Sequence, residues 1–317
     1  MIPLSDLHRH LGGSTGLDFV YATARKHGMN LSYQYINSSM TFLPGEPYGF
    51  YEFLRKFDIL NQIPWDCEDI ISLAYHVTNQ LACEGIEYAE IRFTVNKYLE
   101  STKFDHVEAI KFVKRAFDSA CAELGVNVGL VLSLKYETDN YDEMRAARDL
   151  SRYDDCVVGI DLVGDEAKFS VDKFKPIMKI WHDAGKGIMV HAGESQPSSN
   201  VRDAIRHLYA NRIAHGIKVI QEHNMPLLGE CIDRNVCFDV AISSNIMTGL
   251  VADAKSHPAK MMFDCGAPIT IGTDDPVICR TSLLKELALV KEHWGLSDDD
   301  IDRIKANSIE YAFNHFK

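Results

Sequence analysis

The sequence has no CxxC pair, no long apolar run, no Pro/Gly/Ser-rich linker and no low-complexity tract. Each absence removes a class of protein. Eight cysteines (67, 83, 121, 156, 231, 237, 265 and 279) are scattered along the chain. Without paired spacing they read as reduced core thiols of a cytoplasmic protein, not as a disulfide framework. The apolar runs break well short of the roughly 18 residues that a transmembrane helix needs. The opening MIPLSDLHRH turns polar within six residues, unlike a signal peptide. Positive charge is scarce too: 33 Lys and Arg face 45 Asp and Glu, a formal net charge of −12. Such a surface repels phosphate backbones and anionic lipids, so neither nucleic acid nor membrane is expected as a partner. A small ligand held by a local site remains compatible with it.

The rest is ordinary globular material, with 46% hydrophobic and 25% charged residues. At about 150 residues per domain, 317 residues suggest two domains, but α/β barrels fill this length as one. Short apolar runs recur at 4–10, 88–94, 128–135, 157–163, 187–191, 212–215, 236–242 and 269–273. Near-continuous runs of this length suit strands buried on both faces of a parallel sheet. Helical spacing appears between them at 107–124, 141–151, 171–184, 201–209, 221–234, 282–293 and 298–316. This alternation predicts a single (β/α)8 TIM-type barrel spanning 1–317. A doubly wound sheet lacks its glycine-rich first turn here. The first crossover, approximately 15–86, is too long for a plain loop. Helical patterns at 18–26, 51–60 and 67–83 make it a helical insertion after strand 1, placed to act as a lid. Phe53, Phe57 and Tyr51 are read as core of that lid, with one or two facing a ligand.

Polar residues gather at the C-terminal ends of the strands, where barrel active sites lie. Strand 1 ends in Asp6-Leu7-His8-Arg9-His10, strand 5 runs into His191-Ala192-Gly193-Glu194, strand 6 ends in His215-Gly216, and strand 8 leads to Asp274-Asp275-Pro276. Residues two apart on a strand share a face, so His8 and His10 can aim at one ion. His191 and Asp274 would complete three imidazoles and a carboxylate with a position left for water, a set that suits catalytic zinc. Taken singly, each piece has a plainer explanation: a satisfied core histidine, a helix cap, a solvated loop carboxylate. Their joint fall on one predicted rim is harder to explain that way. Arg9 should point away from its histidine neighbours into a wall salt bridge. Glu90 and Arg92 read as a buried ion pair with each other. Lys135 ends strand 3 without implying a second metal. A His106-Val107-Glu108 triplet opens a predicted surface helix, and no PCxxC follows it, so it is taken as chance.

These residues carry a resemblance. DLHRHLGGS (6–14), YAEIRF (88–93), GIDLVGDE (159–166), HAGE (191–194), RIAHGI (212–217), SSN (243–245) and GTDDP (272–276) occur in order. Over nearly the whole chain the sequence resembles the adenosine deaminase family, a branch of the amidohydrolase barrels. The resemblance implies one Zn2+ per chain, held by His8, His10, His191 and Asp274. It implies Glu194 as the acid that protonates purine N1, and His215 as the group that orients and stabilises the attacking hydroxide. It implies Asp275 near N7, the Gly164 amide near N3, and a small purine as partner. The chemistry suits this set, because zinc lowers the pKa of bound water from 15.7 towards about 7. An oligomer is compatible with the sequence but not predicted by it. The alternatives are a metal hydrolase of another C–N, ester or phosphoester bond, and a non-catalytic relative.

Two departures stand out. Gly12 occupies a place that is usually acidic in the family, close to the ribose 5′-hydroxyl. This implies a ligand without an ordinary ribose there, one with a bulkier or anionic group, or only a tight turn made with Gly13. Ala241-Ile242 replaces the more usual Cys-Pro before Ser-Asn, a change expected to alter backbone shape more than chemistry.

Overall fold

The computed structural model describes residues 2–95, 102–138, 141–150 and 156–313. Eight strands among them lie in chain order in one parallel sheet: β1 (Leu4–His10), β2 (Ile86–Phe93), β3 (Asn127–Lys135), β4 (Gly159–Val163), β5 (Gly187–Ala192), β6 (Arg212–His215), β7 (Cys237–Val240) and β8 (Ile269–Ile271). The sheet closes where β1 meets the residue Asp274 just beyond β8. Asp274 N–H donates to the His8 carbonyl at 2.7 Å, and His10 N–H donates to the Asp274 carbonyl at 2.8 Å. The result is the expected (β/α)8 barrel. Its seam passes through three residues of the strand-end cluster.

The first crossover carries α1 (Leu17–Lys26), α2 (Tyr33–Met40), α3 (Phe50–Arg55) and α4 (Cys67–Glu84). The periodicity at 51–60 is not one helix: α3 stops at Arg55 and a 3-10 turn covers Asp58–Asn61. α2 lies where no helix is expected, with Ser32 capping it through Tyr35 N–H. Around the barrel run α5 (His106–Leu124), α6 (Tyr141–Leu150), α7 (Val171–Asp183), α8 (Ser199–His207), α9 (Lys218–Gln221), α10 (Met225–Asp233), α11 (Ile242–Met247), α12 (Ala259–Asp264), α13 (Leu283–Trp294) and α14 (Asp298–Glu310). The pattern at 221–234 starts too early: Gln221 ends α9, and α10 begins at Met225, where Asn224 caps it at Leu227 N–H and Pro226 occupies the first turn. Residues 151 and 314–316, expected at helix ends, lie outside the described residues. His106-Val107-Glu108 receives a structural explanation. Asp105 and Glu108 form a reciprocal capping box at the start of α5, whose buried Ile110, Val113 and Phe117 face the core.

All eight cysteines are free thiols, although Cys83 and Cys265 are exposed rather than in the core. Among the described residues no helix is long and apolar enough to cross a membrane.

The barrel interior below the rim is charged. The expected Glu90–Arg92 pair does not form. Arg92 Nε donates instead to Asp161 Oδ2 at 2.7 Å, and Nη1 donates to the Leu7 carbonyl at 2.6 Å. Glu90 pairs with Arg212, and Arg212 Nε also lies 3.4 Å from Asp239 Oδ2. Neighbours across the barrel compete for each guanidinium, and a same-strand neighbour does not offer the better geometry. Phe313 closes the floor, its ring 3.8 Å from the Arg212 guanidinium carbon, and its N–H donates to Glu90 Oε1 at 2.6 Å. Arg212→Ala would leave Glu90 buried without its cation, while Asp239 would keep only Arg92 at 3.5 Å. Breaking a buried pair in this way costs about 3–5 kcal/mol. A clear drop in the urea midpoint is expected, and an unchanged midpoint would mean that the network contributes nothing to stability.

Candidate active site

The sequence-predicted residues converge on the C-terminal rim. His8 and His10 project from β1 toward Asp274, with Nε2 atoms 3.3 Å and 3.2 Å from its Oδ1. Arg9, between them, faces outward as expected. It meets Glu84 at 2.9 Å, Ser14 Oγ at 3.2 Å and Asp6 at 3.6 Å. His191, near the end of β5, directs Nδ1 to Asp161 Oδ1 at 3.1 Å, which turns Nε2 to the cluster. Donor atoms of His8, His191, His215 and Asp274 all lie within 4.8 Å of one another. His10 joins them through Asp274, its ring centroid 5.3 Å from that of His191 and tilted by 58°. The cluster is thus one imidazole richer than the four-residue set expected as ligands.

Electrostatics suit a cation. Burial pushes His8 well below the ordinary imidazole value, and the Arg92 charge adds to this. Burial also lowers His10, and takes His215 to about 3. Neutral imidazole is the ligating form. Burial works against ionising Asp274, yet the facing His8 and His10 hold its carboxyl well below the usual range. In the fully buried His8 ring Nδ1 has no hydrogen-bond partner among the described residues, and Nε2 faces Asp274 at 3.3 Å without hydrogen-bond geometry. A buried imidazole left this way is costly unless something else binds it. The donor set therefore fits a divalent metal.

Glu194 lies on the same wall, 8% exposed. Burial, then the charges of Asp274 and Glu166, push its carboxyl well above the ordinary value. Its loop is held by a residue to which sequence reasoning assigned no role. Glu166 accepts the N–H groups of Gly193 (2.5 Å), Glu194 (3.1 Å), Ser195 (3.0 Å) and Gln196 (3.0 Å). Asp161 is a second such residue, since it fixes the His191 ring. Both lie in the GIDLVGDE segment, and the signal available was an acid on either side of a strand end.

These groups line a cavity of about 280 Å³. His10, His191, His215, Glu194, Asp274 and Asp275 are among its lining residues. Ser133, Lys135 and Gly164 form a side, and α3 with the turn after it supplies Phe53 and Phe57. Tyr51 is not core: it is 53% exposed. Lys135 lines the cavity as an exposed side chain. Gly164 has φ of +99°, a conformation that favours glycine and presents its backbone to the cavity. His215 and Asp274 have φ of +63° and +56°, and non-glycine residues in this region are common at functional sites.

The two glycines after β1 differ in purpose. A β-carbon on Gly13 would sit 1.9 Å from Asp275 Oδ1 and 2.5 Å from Asp275 Cβ. Only glycine lets Asp275 stand where it does. Gly13→Ala should displace Asp275 by about an ångström, a shift that costs roughly 100-fold in kcat/KM at a reacting site. Unchanged kinetics would mean that Asp275 has no part in the reaction. A β-carbon on Gly12 would instead meet the Phe57 ring at 3.3 Å and Leu60 at 3.7 Å. The direction in which an acidic side chain would extend is filled by an aromatic ring.

Comparison with known proteins decides the family. The adenosine deaminase family model matches residues 3–317. The chain belongs to the adenosine deaminase family. It is an enzyme of the purine-aminohydrolase class. It is 28% identical over 314 residues to an adenosine deaminase of Shewanella denitrificans, covering 98% of this chain and 94% of the relative. An adenine deaminase structure from Arthrobacter aurescens superposes with TM-score 0.87 at 20% identity, covering 99% of this chain and 94% of that one. An amidohydrolase from Burkholderia ambifaria with bound Zn gives TM-score 0.87 at 23% identity, covering 99% and 86%. The same barrel is thus found in structures that carry different names.

Proposed function

We propose that the protein is a zinc-dependent deaminase. It replaces the 6-amino group of an adenine-type base or nucleoside with a 6-oxo group and releases ammonia. One observation carries this reading. A cavity at the barrel rim holds a histidine and carboxylate cluster and, apart from it, a carboxyl whose surroundings favour its protonated form. Proton delivery to a ring nitrogen requires such a second group.

His8, His10, His191 and Asp274 would hold the metal, which when bound supplies a Lewis acid able to make hydroxide available at neutral pH. The relative with bound Zn supports the choice of metal. Glu194 gives a proton to N1, which makes C6 more electrophilic. His215 donates toward the developing tetrahedral centre and stabilises its charge. Asp275, braced against Gly13, meets the purine N7 edge, and the Gly164 amide meets N3. Helix α3 and Phe57 close the cavity over the base and exclude water. At the place of the usual ribose-binding acid, Phe57 presents an apolar face. This favours adenine compounds that do not depend on a carboxylate contact at the 5′-hydroxyl.

The test is ammonia release by zinc-loaded protein against adenine, adenosine, deoxyadenosine, 5′-modified and N6-substituted adenine nucleosides, and non-purine amines. Release from at least one adenine compound is expected. Silence across the purines, with metal bound and the protein folded, would turn attention to amides, lactones and phosphoesters.

A further inference from the structure

The five-residue cluster leaves open which imidazoles ligate and which do not. We propose that Asn245 and His257, which do not line the cavity, fix His215 as an Nε2–H donor and thereby exclude it from the metal. This rests on the deaminase reading above and assigns positioning roles within it.

The direction of each hydrogen bond follows from one unambiguous group. Ala259 N–H, at the start of α12, donates to His257 Nδ1 at 3.2 Å. A backbone N–H only donates, so Nδ1 is an acceptor and the ring proton of neutral His257 sits on Nε2. His257 is 2% exposed, and burial takes it down to about 3, so it is neutral. Nε2 lies 3.2 Å from the Asn245 side chain. The atom facing that proton must be the carboxamide oxygen. The Asn245 amide group then points the other way, with its two hydrogens. It meets two acceptors, Glu194 Oε1 at 3.2 Å and His215 Nδ1 at 3.1 Å. Asn245 is fully buried, so no water offers another arrangement.

Two consequences follow. His215 Nδ1 accepts, so its proton lies on Nε2, which is 3.8 Å from Asp274 and 3.8 Å from Glu194. A nitrogen that carries a proton has no lone pair for a metal. His215 therefore lies among the ligating atoms as a donor, aimed where an attacking oxygen would stand. His191 has the opposite arrangement: its Nδ1 donates to Asp161, so in the neutral, ligating ring the lone pair is on Nε2. The relay thus sorts two similar histidines. The second consequence concerns Glu194. Its Oε1 accepts from Asn245, so the acidic proton belongs on Oε2.

Asn245 sits in α11, and His257 lies two residues before α12. Asn245 follows β7, and the sequence motif Ser243-Ser244-Asn245 points to it. Nothing in the sequence singles out His257, twelve residues farther on.

The test is long-range 1H–15N correlation of the zinc-loaded protein labelled with 15N-histidine, with His215 assigned by loss of its signals in His215→Gln. The parent should show His215 protonated at Nε2 alone. A parent with Nδ1 protonated overturns the proposal outright, whatever the enzyme turns over. Asn245→Asp cannot donate to Nδ1, so protonation at Nδ1 should appear. Its kcat should fall about 100-fold, with KM little changed. His257→Gln keeps a donor facing Asn245 Oδ1, and should retain the parental signal with kcat within about tenfold. His257→Leu should lose both. Asn245→Asp with the parental tautomer, or His257→Leu indistinguishable from His257→Gln, would also overturn it. Failure of the deaminase reading shows in the ammonia assay, independently of the tautomer.

Discussion

Glu194→Gln is expected to lose about 10³- to 10⁴-fold in kcat while retaining its metal, the upper range for a single proton-transfer group. Glutamine keeps the shape, and its carbonyl oxygen still accepts from Asn245, now 3.2 Å from Glu194 Oε1. Its backbone N–H still donates to Glu166. Only the deliverable proton is removed. Metal content by elemental analysis and kcat on the best substrate separate the two effects. Turnover within tenfold of the parent would take Glu194 out of the mechanism. Stability should respond as well. In the metal-free protein the Glu194 pKa is raised above its unfolded value, first by burial and then by Asp274 and Glu166. The folded state therefore binds the proton more tightly. Its contribution is full below the ordinary carboxyl value and is lost as pH rises through the folded value. Glutamine cannot ionise, so metal-free Glu194→Gln should melt above the parent at alkaline pH, with the gap closing in acid.

How much of this was legible depended on whether the residues report locally. Strand β1 was readable to its ends, because a buried parallel strand is a short apolar run and its last histidines alternate. Strands β7 and β8 are shorter than their apolar patterns at 236–242 and 269–273. There the chain stays buried after leaving the sheet: Ile242 already begins α11, whose amides at 242 and 243 are capped by Glu286. Burial continues where strand geometry stops, and hydropathy alone cannot mark the change. Helices α2, α11 and α12 run eight, six and six residues, too short for a periodicity to emerge.

The site was legible where several residue types must sit at fixed spacing. His8 with His10, His191 with Glu194, and Asp274 with Asp275 each show in a few consecutive residues. Their support was not, since it comes from partners distant in sequence. Arg92 and Glu90 share a face of one strand, which suggests a pair, whereas the partner of Arg92 is Asp161, 69 residues away. The room at Gly12 is filled by Phe57, 45 residues on, in a segment whose chain path no local pattern sets. An asparagine or a histidine becomes a positioning group only when the fold brings it against another.

Asp274 is where the fold and the site are the same residue, so its replacement needs two variants. Its side chain meets both β1 histidines, while its backbone closes the barrel against His8 and His10. It also has φ of +56°, a region that asparagine and aspartate tolerate better than alanine. Asp274→Ala thus combines loss of a carboxylate with backbone strain at the seam, and some loss of Tm is expected from strain alone. Asp274→Asn keeps the tolerated backbone and the size, and removes only the charge. Both should fall from about one zinc per chain to under about 0.1, since each removes one of the four ligands that close the site. Both should lose ammonia release beyond detection, but only Asp274→Ala should melt clearly lower than the metal-free parent. Full metal in Asp274→Asn would remove the carboxylate from the ligand set and leave a three-histidine site. Metal loss in Asp274→Ala alone would place the effect in the seam.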